Sequence, residues 1–225
     1  MTGQARTTSP AGDVGTTSAD DALTAVLDGY PAGMTDSFEG PAGGEFAPKG
    51  QVTPVYFMYD NSGSVHSFRH VFTQEHAAGR AFLRAQGEGS AVRAAVYGFD
   101  KDARQILAMC EIGDPSIGEL RLSADGPSTD LTAPAELLLD VMRRDGRELQ
   151  DAGYQVMRSL VIVITDGFDN HGRDYPTAWK TLREAPFGPI VMALGLQGAA
   201  RAAITAIATE GLAFMAEDGH DFADQ

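Results

Sequence analysis

Asp60, Ser62 and Ser64 put three oxygen-bearing side chains at alternate positions of Asp60-Asn61-Ser62-Gly63-Ser64, a short turn relaxed by one glycine. Hard oxygen donors spaced i, i+2 and i+4 on such a turn can converge on one small cation. A donor set of oxygens alone selects magnesium, calcium or manganese over zinc or copper. The plainer reading of the same residues is a strand-to-helix turn in which Ser64 caps the helix.

The elements around the turn give it a position. Val55-Tyr56-Phe57-Met58-Tyr59 is an apolar run rich in aromatic residues, which reads as a buried strand ending at Asp60. Val65, Phe68, Phe72, Phe82 and Leu83 then recur at helical spacing, with Arg69, Gln74, Glu75 and Arg80 between them. A buried strand running into a helix places Asp60, Ser62 and Ser64 at the carboxyl edge of a sheet, where open α/β sheets bind ligands. Two later stretches belong with the first. Gly126-Pro127-Ser128-Thr129-Asp130-Leu131 precedes an apolar helix pattern, and Leu160 to Thr165 is a second buried strand that runs into Asp166-Gly167.

In this order the three segments resemble the metal-ion-dependent adhesion site (MIDAS) of von Willebrand factor A domains. That pattern is Asp-x-Ser-x-Ser after the first strand, a Thr on a loop before a helix, and an Asp before Gly after a later strand. The matching positions are Asp60, Ser62, Ser64, Thr129 and Asp166, and the resemblance runs from about Thr53 to Phe222. It implies one Mg²⁺ or Mn²⁺, with the hydroxyls of Ser62, Ser64 and Thr129 binding directly and Asp60 and Asp166 acting mainly through bound water. An ion so weakly neutralised keeps an open position for a Glu or Asp of a partner protein. Thr53-Pro54-Val55-Tyr56 is similar to tellurium-resistance-type members, stand-alone domains of stress-response systems.

The rest of the chain alternates strand and helix. Strands are expected at Ala91–Phe99, Arg104–Cys110, Ser159–Thr165, Pro189–Leu196 and Leu212–Met215, and helices at Leu131–Gln150, Tyr175–Glu184 and Ala200–Thr209. The turn-like Asp100-Lys101-Asp102 joins the strands at 91–99 and 104–110, and so short a connection implies a hairpin. The predicted architecture is a doubly wound α/β sheet, mostly parallel, with one antiparallel edge strand and helices on both faces. Residues 53–225 make this domain. Residues 1–52, rich in Gly, Pro, Ser and Thr, read as a flexible arm with a short helix near Ser18–Gly29.

Composition narrows the function classes. A net charge of −14 on 225 residues repels phosphate backbones and argues against nucleic acid. The sequence has no eighteen-residue apolar run and no apolar leader, so the expected setting is cytoplasmic and off the membrane. Cys110, the single cysteine, reads as a small core residue.

No catalytic set is complete. Ser62 stands where an aspartyl phosphotransferase needs a second Asp, no phosphate-binding or dinucleotide loop follows the first strand, and Ser62-Gly63-Ser64 is not a hydrolase elbow. His66 and His70 have zinc-like spacing but no third ligand; His66 reads as a rim residue near the ion. On the same edge, Phe168 can offer a partner an apolar anchor and Asp169 a polar contact. The expected function is therefore a metal-dependent adaptor and not an enzyme. The alternative is a structural subunit of a phage or shell-like assembly, its arm linking copies into a homo-oligomer.

Overall fold

The computed structural model describes residues 49–68, 77, 81, 90–118, 123–196 and 198–216. Residues 1–48, with the short helix expected near Ser18–Gly29, lie outside them. So do His70, Phe72, Phe82 and Leu83 of the first helical pattern, and the chain beyond residue 216.

Gln51–Asp60 forms β1, which ends on Asp60, the first of the expected site residues, and starts two residues before the expected boundary at Thr53. A 3-10 segment, Gly63–Phe68, follows where helix was expected, its Val65 N–H reaching back to the Ser62 carbonyl at 3.3 Å. β2 (Ser90–Phe99) and β3 (Ala103–Glu111) form the hairpin required by their short connection, and they pair antiparallel. A four-residue helix, α1 (Pro115–Gly118), comes next, and then the long α2 (Ala133–Asp151). β4 (Gln155–Val156), β5 (Leu160–Thr165), α3 (Tyr175–Glu184), β6 (Ile190–Gly195), α4 (Arg201–Ile207) and β7 (Ala213–Met215) complete the described chain.

The seven strands form one sheet in the order β3-β2-β1-β5-β6-β7, with β4 beside the start of β1, and every pair except β2–β3 is parallel. This is the doubly wound α/β sheet that the alternation of patterns requires. β4 and α1 were not foreseen. Gln155–Val156 is too short and too polar to carry a periodic signal, and Pro115–Gly118 is one helical turn.

The β1 side chains divide between two cores. Val55, Phe57 and Tyr59 pack with Val65 and Ile117 on one face, while Tyr56 and Met58 pack with Leu138, Trp179 and Ile204 on the other. The chain thus leaves β1 on one face of the sheet and leaves β5 on the opposite face. Their carboxyl ends flank a crevice, the topological switch point at which ligands bind in open α/β sheets. Asp60 and Asp166 stand at that point.

Candidate metal centre

Hydrogen bonds within the first loop fix its geometry. Asp60 Oδ1 accepts the Ser62 N–H at 2.8 Å, and Ser62 Oγ shares a hydrogen bond with Ser64 Oγ at 2.9 Å. Asp60 and Ser62 are buried, whereas Ser64 is exposed, so the donor set opens toward solvent on one side. Asn61 points the other way, against Gly98 of β2.

Parallel pairing delivers the second carboxylate. The register Tyr59↔Ile164 sets Asp60 beside Thr165, whose hydroxyl donates to Asp60 Oδ2 at 2.6 Å. Asp166 follows at once, its Oδ1 accepting the Phe168 N–H at 3.1 Å and its carbonyl accepting the Ala200 N–H at 2.9 Å. Gly167 makes the turn at φ 71°, a conformation that side chains disfavour. Thr165 did not stand out in the sequence because a hydroxyl at the end of an apolar strand is ordinary. Only the strand register reveals its partner.

The third loop is stitched to the first by backbone. Gly126 N–H donates to the Asn61 carbonyl at 2.8 Å, and Gly63 N–H donates to the Gly126 carbonyl at 2.9 Å. This approach requires glycine, because a Cβ at position 126 would lie 2.5 Å from Asp100 Cβ. Thr129, three residues on, is 1% exposed. Trp179 Nε1–H donates to the Leu131 carbonyl at 2.8 Å, and Asp130 N–H to the Asp100 carbonyl at 2.8 Å, so α3 and the β2–β3 turn hold the loop from behind. Buried Asp130 is also fixed: its oxygens accept the Thr132 N–H at 2.8 Å and Arg173 Nη1–H at 3.0 Å.

Electrostatics separate these carboxyls. Burial pushes Asp60 up to about 6, against the hydrogen bonds from Thr165 and Ser62, and the nearby Asp166 charge adds to the rise. Burial acts the same way on Asp130, but there the Thr132 N–H and Arg173 outweigh it and hold the carboxyl below its usual range. Asp130 is thus a structural anion with its own cation, and Asp60 is an anion still short of positive charge. A divalent cation would supply that charge. The buried under-compensated carboxylate and the hydroxyl pair beside it therefore fit a hard dication. Among the described residues no three His, Cys, Asp or Glu side chains form a metal-ligating group. An ion at this edge would depend on the hydroxyls as well as the carboxylates.

The rim residues differ in their engagement. Phe168 is 52% exposed, a large apolar side chain left in solvent beside Asp166. His66 is exposed, and its Nδ1 bonds the Ala124 carbonyl at 3.3 Å. Asp169 uses both oxygens within the protein, accepting the Leu131 N–H at 3.1 Å and the Gly172 N–H at 2.7 Å.

No protein-family model matches the chain, and no curated protein does. Among solved structures it is similar to proximal thread matrix protein 1 (PTMP1) from the mussel byssus. One crystal form gives a TM-score of 0.58 at 19% identity, covering 79% of this chain and 46% of that one. A structure of the same protein with a zinc-occupied MIDAS motif gives 0.52 at 18% identity, covering 74% and 41%. The fold is von Willebrand A-like. At such identities the likeness is one of fold, and the chain spans less than half the length of these structures. Among the described residues no helix is long and apolar enough to cross a membrane.

Proposed function

We propose that the chain is a metal-dependent protein-binding module and not an enzyme. Its metal residues are Ser62, Ser64 and Thr129, with Asp60 and Asp166 behind them. The observation that carries this reading is the joining of three separate loops at the switch point around a buried, under-compensated Asp60. The zinc in the MIDAS motif of the similarly folded mussel protein supports a divalent ion at such an edge. The oxygen donors of this chain favour Mg²⁺ or Mn²⁺.

When bound, the ion supplies a Lewis-acidic acceptor for a carboxylate oxygen, which a Glu or Asp of a partner protein provides. Phe168, the one large apolar side chain exposed among the described residues, gives that partner an apolar contact. The molecule's net charge of −14 repels an acidic partner at long range. Selectivity must then come from short-range contacts at the ion and at Phe168.

The test is capture of partner proteins on immobilised protein in Mg²⁺, with EDTA and Thr129→Ala as controls. A partner released by EDTA and not captured by Thr129→Ala supports the module. A partner retained under both conditions contradicts it.

A further inference from the structure

Thr129 lies on an irregular loop, where nothing in the secondary structure fixes its hydroxyl. A site that must present a hydroxyl to a small cation needs that loop held from outside. The structure shows how it is held. Both polar groups of the Thr129 backbone are engaged by one residue: its N–H donates to Asn170 Oδ1 at 3.1 Å, and its carbonyl accepts the Asn170 N–H at 2.9 Å. The Thr129 N–H can only donate, so the Asn170 atom facing it must be the amide oxygen.

The grip extends on both sides. Asp169 Oδ1 takes the Leu131 N–H, His171 Nε2 shares a 2.8 Å hydrogen bond with Ser128 Oγ, and Arg173 pairs with Asp130. Residues 128 to 131 are thus each tied to the segment that begins three residues after Asp166.

We propose that Asn170 is a positioning residue for the metal site: it locks the Thr129 loop to the Asp166 loop, so the separation of the two is set before any ion arrives. The inference rests on the metal-binding reading above. Asn170 is exposed and 41 residues from Thr129 in sequence, so its role is visible only in the folded chain. The physical advantage follows from the ion: Mg²⁺ tolerates little departure from octahedral geometry, and a loop ordered beforehand removes that ordering from the binding step.

The experiment is calorimetric titration of Mn²⁺ into the wild type, Asn170→Ala, Thr129→Ala, the double variant and Asp60→Ala. Asn170→Ala is expected to weaken binding about 10-fold. If Asn170 acts through Thr129, the double variant binds no worse than Thr129→Ala alone. Additive losses, or unchanged affinity in Asn170→Ala, would overturn the proposal. Affinity unchanged in Asp60→Ala would instead overturn the metal site itself. Hydrogen exchange on the wild type covers the case in which a variant does not fold. The Thr129 amide should be protected without metal and gain little on adding Mg²⁺. Protection that appears only with Mg²⁺ would mean that the ion, and not Asn170, orders the loop.

Discussion

Two hydrogen bonds and a buried setting leave the Asp60 carboxylate short of compensation, and this has a measurable sign. Its folded value lies near 6, above the unfolded value near 4. Between those values the native chain holds the proton more tightly. The contribution to stability is therefore complete below about pH 4 and is lost as pH rises through about 6. The loss in the metal-free protein is on the order of 3 kcal/mol. Asp60→Asn keeps an amide oxygen for the Ser62 N–H and carries no charge. Denaturant melts in EDTA should show wild type minus Asp60→Asn falling from pH 4 to pH 7, and Mg²⁺ should restore the wild type at pH 7. Flat, parallel pH profiles for the two proteins would contradict this reading. Asp130 shows why the neighbouring carboxylate behaves differently: Arg173 and the Thr132 N–H already neutralise it.

The loops act as elements through close backbone contact, and Gly126 is where this is most exposed to test. A Cβ there would lie 2.5 Å from Asp100 Cβ and 3.0 Å from the Asn61 carbonyl oxygen. Gly126→Ala is therefore expected to cost about 1–3 kcal/mol through overpacking and to weaken metal binding by parting the two loops. Urea unfolding reads the first effect and calorimetry the second; a variant matching wild type in both would remove the argument.

These contacts also mark the limit of what the sequence disclosed. Apolar runs announced β1, β5 and β6, and the three residues between β2 and β3 announced an antiparallel hairpin. The ends of those strands then placed Asp60 and Asp166 on one edge. Thr165, Asn170 and Arg173 were not legible. Each acts on a residue dozens of positions away, and register or loop packing creates those contacts. Asp169, read as a rim residue, has both oxygens engaged by backbone N–H groups. An exposed-looking Asp in a turn carries no sequence mark of such partners.

For the whole molecule, ligation should appear as stability. Mg²⁺ at one hundred times its dissociation constant adds about 2.7 kcal/mol to a one-site native state. For a chain of this length that raises the melting temperature by roughly 5–10 °C, and EDTA should abolish the rise. A melting temperature indifferent to Mg²⁺ and Mn²⁺ would mean that the native fold holds neither. The net charge of −14 makes a control essential, since many acidic surfaces gain weakly from any divalent cation. Site-specific ligation must vanish with Asp60, whereas diffuse screening would survive its loss. The most direct measurement is therefore calorimetric titration of Mn²⁺ into wild type and Asp60→Ala, with circular dichroism confirming that both are folded. The result expected is a single site in the wild type and none in Asp60→Ala. Equal binding by the two folded proteins would contradict the assignment of the metal centre.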